Sequence, residues 1–295
     1  MSADRDHHSS SRGFALLVVL WFLVLIAAVG TYLMANARSQ TALAHNMVVR
    51  AKAEALADAG IAQAVFNLTD PVVDKRWPLD GQPHQMALLG GTVVVKLADE
   101  SLKINPNIAS EFTMAGLFQA VGVDASTARH LGAAVADWVN GGDKPRPFGA
   151  KKEDYLNAGR NYGPPNAPMQ SLDEMQLVLG MTPAIFAAVQ PYLTIYTEAD
   201  APDPTVAPTL IRRALDIAAS LAADDNAAVN SAAGQPNQAQ APAAQDADQP
   251  VIADAIVTAS LPGGGVFVRR AILQIDATDP KGYIVRDWRR IDASN

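Results

Sequence analysis

Phe14-Ala-Leu-Leu-Val-Val-Leu-Trp-Phe-Leu-Val-Leu-Ile-Ala-Ala-Val29 is apolar without interruption, and no charged residue occurs from Phe14 to Ala37. At 1.5 Å per helical residue this stretch covers a hydrocarbon core of roughly 30 Å. Arg12 stands immediately before it and the bulk of the chain follows. The basic flank places the N-terminus in the cytoplasm and the large C-terminal part outside. An ordinary secretory signal has a shorter apolar region with its cleavage site at the far end. Here the apolar run is too long for that, and helical sequence continues past it to about Asn67. Leu56, Gly60, Ala64 and Leu68 recur every four residues and form one small-to-medium stripe, while Arg50, Lys52, Glu54 and Asp58 lie largely elsewhere on the surface. From Phe14 to Asn67 such a helix is about 80 Å long, the proportion of a stem. Gly30 and Gly60 are its weak points, and the stripe fits either close packing on a sheet or an oligomerisation face.

Working outward, residues 69–90 carry Pro71, Pro78, Gly81, Pro83 and Gly90 and read as loop. Gly91 to Glu100 has the β-branched density of a strand. Helical periodicity then takes over, with helices expected near 111–121, 125–140, 171–179 and 183–192 and an amphipathic piece at 207–221. Short helices of this kind are marginal alone and require a shared core. Ala222 to Pro250 is built almost wholly of Ala, Gln, Asp, Asn, Ser, Gly and Pro, which predicts a flexible linker because it cannot bury enough apolar surface to offset chain entropy. The end returns to strand: Gly265 to Asp276, a Pro280-Lys-Gly turn, and Gly282 to Ile291 form a hairpin. The helical block is thus inserted between strands of one small sheet.

The 295 residues carry a formal net charge of -7, which argues against nucleic acid or anionic lipid as an electrostatic partner. The absence of cysteine excludes disulfides, thiolate metal sites and cysteine nucleophiles. His7, His8, His45, His84 and His130 show no metal-ligand spacing, and there is no Gly-x-Ser-x-Gly elbow, phosphate-binding loop or His-Glu-x-x-His. These patterns point away from an enzyme. Asp137, Asp143, Glu153 and Asp154 surround a Gly-rich loop, and oxygen-rich loops can hold calcium. Lys144, Lys151 and Lys152 stand close by, so a solvated capping loop is the competing reading, with Arg146 pairing one of the acids. Leu177 to Pro183 is similar to a helix-hairpin-helix turn, for which packing is the simpler use.

Asp99-Glu-Ser-Leu-Lys-Ile-Asn-Pro-Asn107, Ala136-Asp-Trp-Val-Asn-Gly-Gly-Asp-Lys-Pro-Arg-Pro-Phe-Gly149 and Ser171-Leu-Asp-Glu-Met-Gln-Leu-Val-Leu-Gly-Met-Thr-Pro183, with the Gly13-Phe14 junction, resemble the K-type minor pseudopilins of type II secretion systems, the GspK family. The resemblance implies an α+β fold: a long N-terminal transmembrane helix and a pilin-like small antiparallel sheet with a large inserted helical domain. It implies a leader over 1–13, cut by a prepilin peptidase between Gly13 and Phe14 and followed by N-methylation of Phe14. Periodicity and composition divide the rest into an anchor over 14–37, a stem over 38–68, the first part of the α/β domain over 69–109, the insert over 110–221, the linker over 222–250 and the closing hairpin over 251–295. The implied place is the tip of a periplasmic pseudopilus, anchored by a single pass in the inner membrane, with I- and J-type minor pseudopilins as partners and no nucleic acid. Calcium is associated with the family. Two departures stand out: the segment after Tyr196 is shorter and less regular than the family's second helical subdomain, and the polar tract replaces part of it. The fifth residue after Gly13 is Val18, where most pilin-like proteins carry a Glu that pairs with a neighbour's N-terminal amine. An unpaired carboxylate inside the bilayer costs about 3 kcal/mol on insertion scales, so a subunit with no neighbour ahead of it dispenses with the charge. The alternative is a single-pass scaffold or receptor with no fibre role.

Overall fold

The computed structural model describes residues 11–233, 250–276 and 278–292. The leader upstream of Ser11 and the polar tract over 234–249 lie outside the described residues. The chain opens with one helix, α1 (Ser11–Leu68), whose 58 residues make about 87 Å. It runs unbroken through Gly30 and Gly60. No residue of its upper part touches the rest of the protein: from Phe14 to Met34 every side chain is exposed.

The lower part of α1 is buried against a five-stranded sheet in the order β1-β2-β3-β4-β5, with β1 (Asp80–Leu88), β2 (Gly91–Asp99), β3 (Val251–Ser260), β4 (Val266–Ile275) and β5 (Tyr283–Ile291) all antiparallel. Ala53, Leu56, Ala57, Ile61, Ala64 and Leu68 of α1 meet Val93, Val95 and Leu97 of β2, Val257 of β3 and Phe267 and Leu273 of β4 in one core. The stripe read from the sequence is therefore a sheet-packing face. Gly60 is the point of closest approach: a Cβ there would stand 2.6 Å from Val257 Cγ1 and 2.8 Å from Val93 Cγ1. What the sequence marked as a weak point is a contact that only glycine permits.

Between β2 and β3, which are register neighbours (Val95 opposite Val257), the chain makes its helical excursion. Here α2 (Glu111–Ala120), α3 (Ala125–Val139), α4 (Lys152–Asn157), α5 (Pro183–Val189) and α6 (Thr209–Ala233) pack with two short 3-10 turns around a second core of Leu117, Phe118, Leu131, Trp138, Tyr155 and Ile211. Three of the starts are capped by a side chain: Ser110 accepts from Thr113 N, Asp124 from Thr127 N and Thr182 from Ile185 N, with Pro183 at the first helical position. Gly116 lets α2 cross α6 tightly, since a Cβ would lie 2.2 Å from the Ala214 carbonyl oxygen.

Four sequence expectations need correction. Residues 69–90 are not all loop, because Asp80–Leu88 pairs with β2 as an edge strand, where Pro83 costs no interior ladder bond. The closing segment is three strands, since Val251–Ser260 precedes the hairpin of β4 and β5. The expected helix near 171–179 is a 3-10 turn over Leu172–Leu177. The polar tract does not begin as a linker at Ala222, because α6 continues to Ala233. Alanine is the strongest helix former, and a helix already nucleated by the packing of Ile211 and Ala214 extends through it at little cost.

Candidate functional site

Three places stand out: the apolar upper part of α1, the joint between α1 and the sheet, and the root and loops of the helical insert.

In the anchor, Phe14–Met34 is the one helix segment among the described residues long and apolar enough to cross a bilayer, with a mean hydropathy of 2.7. Phe14 and Val18 both lie on it, exposed along its side. Gly13 is within α1, one residue ahead of the span, so the expected processing junction sits at the membrane edge of a continuous helix.

At the joint, Arg269 of β4 faces the stem. Its Nε donates to Asp58 Oδ1 and its Nη2 to Glu54 Oε1, each at 2.8 Å. The guanidinium lies over the rings of Phe267 (4.9 Å) and Trp288 (5.1 Å) and is 8% exposed. Planar, delocalised arginine tolerates such a half-dry, stacked position where an ammonium would not. The sequence placed Glu54 and Asp58 on the outer surface. Their spacing of four was the available signal that both face one cation.

At the root of the insert, the motif at 99–107 ties the outgoing chain to the returning one. Ile104 N donates to the Tyr192 carbonyl at 2.9 Å and Thr194 N to the Ile104 carbonyl at 3.0 Å. Asn105 Nδ2 donates to Thr197 O at 2.6 Å, and Asn107 exchanges two bonds with the Met169 backbone. Beneath this clasp, buried Glu100 contacts Lys103 and lies 3.7 Å from Arg270 Nη2, while Arg270 makes a bidentate pair with Asp254 at 2.8 Å. The adjoining cleft of about 440 Å³ is lined by Glu100, Lys103, Arg270, Asp287 and Arg289, the last two pairing with each other at 2.7 Å. These acids and bases are paired with one another at the root of the insert.

The loop after α3 gathers the residues read as calcium ligands, but not as a ligand set. Asp137 is 2% exposed; its Oδ2 accepts from Arg146 N at 3.0 Å and its Oδ1 lies 3.5 Å from Arg146 Nε. Asp154 accepts from Lys151 N at 2.9 Å as part of a capping box. Asp143 and Glu153 are exposed. Among the described residues no three acidic, histidine or cysteine side chains gather as metal ligands do. Two of the four acids are thus engaged by the chain's own donors and two face solvent. Deeper in the insert, burial first, and then the nearby charges of Tyr162, Asp137 and Asp154, push the Tyr155 phenol up to about 12; the backbone N–H of Leu179, which donates to it at 2.9 Å, acts in the opposite sense. The remaining motif, 171–183, is likewise architectural: Glu174 Oε1 accepts from Gln170 N and Ser171 N, and Met175 is fully buried.

An apolar helical anchor running into a stem that packs on an antiparallel sheet, with a helical domain inserted between two neighbouring strands, defines a pilin-like α+β subunit. Residues 94–198, from β2 to the end of the clasp, match the family model for protein K of the type II secretion system. The matched stretch holds all three of the motifs that carry the resemblance. The type II secretion system protein K of Klebsiella pneumoniae is 27% identical over 206 residues, 62% of this chain and 62% of that protein. A putative type II secretion system protein K of Escherichia coli (strain K12) is 26% identical over 212 residues, 64% of this chain and 63% of that one. The match thus spans just under two thirds of these relatives' length. Among solved structures, a chain of the GspK-GspI-GspJ complex from enterotoxigenic Escherichia coli shares the fold with a TM-score of 0.55 at 16% identity, covering 88% of this chain and 100% of that one.

Proposed function

We propose that this chain is a K-type minor pseudopilin, a structural and non-enzymatic subunit at the tip of the periplasmic pseudopilus of a type II secretion system. The observation that carries the reading is the combination of a long exposed apolar helix with a bulky insert hung on the stem's sheet. A body wider than its stem blocks further subunits from adding above it, which suits a tip. Val18 in the fifth mature position supports the same place, since a subunit with nothing ahead of it has no amine to neutralise a carboxylate there. The partners follow from the tip position: I- and J-type minor pseudopilins beside it, the inner membrane around α1, and a prepilin peptidase that cuts between Gly13 and Phe14.

N-terminal sequencing of the membrane-extracted protein tests this reading. The expected sequence starts at Phe14, N-methylated, and the extracted protein co-purifies with two other small pilin-like proteins. A start at Met1 and purification without such partners would instead identify a bitopic scaffold.

A further inference from the structure

The polar loop between α3 and the 3-10 turn at Leu172–Leu177 is held by a cation that the chain itself supplies. Lys151 is 4% exposed, unusual for the residue type most at home in water. Its Nζ donates to the main-chain oxygens of Asp137 at 2.6 Å and Asn140 at 2.8 Å, and to Asn166 Oδ1 at 2.7 Å. An ammonium has three donors, and all three are used. None of the acceptors is a carboxylate. Two of them are carbonyls of the last turn and cap of α3, where unpaired C=O groups concentrate the helix's negative end. Asn166 holds a positive φ of 56° to stand there, a conformation asparagine tolerates better than most residues.

The carboxylate beside this cage is already engaged by Arg146, and the loop is drawn so tightly over it that a Cβ at Gly149 would lie 2.0 Å from Asp137 Oδ2. Oxygens that converge on one buried positive centre are what a cation site requires. We infer that the Lys151 ammonium is the built-in cation of this loop, in the place the acidic residues suggested for calcium. The loop therefore keeps its fold without calcium, and its cage is selective for a hydrogen-bond-donating ammonium. This holds independently of any role in secretion.

The test uses the full chain in detergent, with thermal unfolding followed by tryptophan fluorescence, because Trp138 lies in the adjoining core. Calcium at about 10 mM fills roughly nine tenths of even a weak extracellular-type site, whose Kd runs to about 1 mM. The wild-type midpoint is expected to be the same in calcium and in chelator. Lys151→Ala is expected to melt roughly 5 °C or more below wild type. Methylammonium chloride should restore part of that loss, and tetramethylammonium chloride at equal ionic strength, which cannot donate, should not. A saturable rise of the wild-type midpoint with calcium would overturn the inference. So would a Lys151→Ala protein indifferent to methylammonium, or a Lys151→Met protein as stable as wild type. If Lys151→Ala does not fold, Lys151→Ser, which leaves the cage equally empty, carries the rescue experiment and the wild-type calcium comparison stands unaltered.

Discussion

Replacing Arg269 with alanine is expected to loosen the stem from the sheet while leaving the helical insert intact. The magnitude follows from the joint's geometry. Two charge-assisted hydrogen bonds are lost, but Glu54 and Asp58 are 45% and 41% exposed and regain water, so each bond contributes only about 0.5–1 kcal/mol. The contacts over Phe267 and Trp288 add about 0.5 kcal/mol each at this exposure. Loss of the buried aliphatic stem adds about 1 kcal/mol more, for a total near 3 kcal/mol. Hydrogen exchange on the full chain in detergent resolves the two cores separately. Amides of α1 below Ala53 and of β4 should exchange on the order of a hundredfold faster, given a tenfold change per 1.4 kcal/mol. Amides of α2, α3 and α6 should not change. Arg269→Lys should recover less than half, because an ammonium cannot reach both carboxylates as a fork. Equal acceleration in both cores would refute the idea of separable cores, and unchanged exchange throughout would refute the joint.

Gly60→Ala is expected to cost about 1–3 kcal/mol, because the new methyl meets Val257 and Val93, themselves fixed in the core. Gly30→Ala, with nothing within 4 Å, is the matching control and should leave the thermal midpoint at or above wild type. The raised Tyr155 phenol gives a pH dependence. The folded state favours the protonated form, so its contribution is fully present below pH 10 and is lost as pH rises toward about 12. In Tyr155→Phe, denaturant midpoints across this range should lack that alkaline component. The variant should also lose about 1 kcal/mol at neutral pH, since Leu179 N–H loses its acceptor.

The anchor, the stem's buried stripe and the hairpin of β4 and β5 were legible in the sequence because each is a local pattern: an uninterrupted apolar run, a repeat of four, and two β-branched segments about a Pro-Lys-Gly turn. What was not legible depends on distant partners. β1 contains Pro83 and Gly81 and reads as loop until β2 lies beside it. β3 carries Asp254 in its middle, a poor strand residue whose charge is met by Arg270 on the next strand and by Lys103. The last turns of α6 are alanine-rich and lie within a tract whose composition alone reads as disordered, although they continue a helix whose earlier turns pack against α2. At the acidic loop, the sequence paired Arg146 with one of the acids, which the structure shows to be Asp137, but counted carboxylates where the structure uses a lysine and neutral carbonyls. Acceptors on the backbone have no signature in residue identity.

The clasp between Ile104 and Leu193 bears on how the protein assembles. β2 and β3 must find each other across the whole excursion, and bringing ends together across about 150 residues costs roughly 2 kcal/mol more than across about ten. With the clasp formed, the segment still to be closed before β3 runs from Thr194 to Val251, a little over a third of the excursion, and roughly 1 kcal/mol of the closure cost has been met before the strands pair.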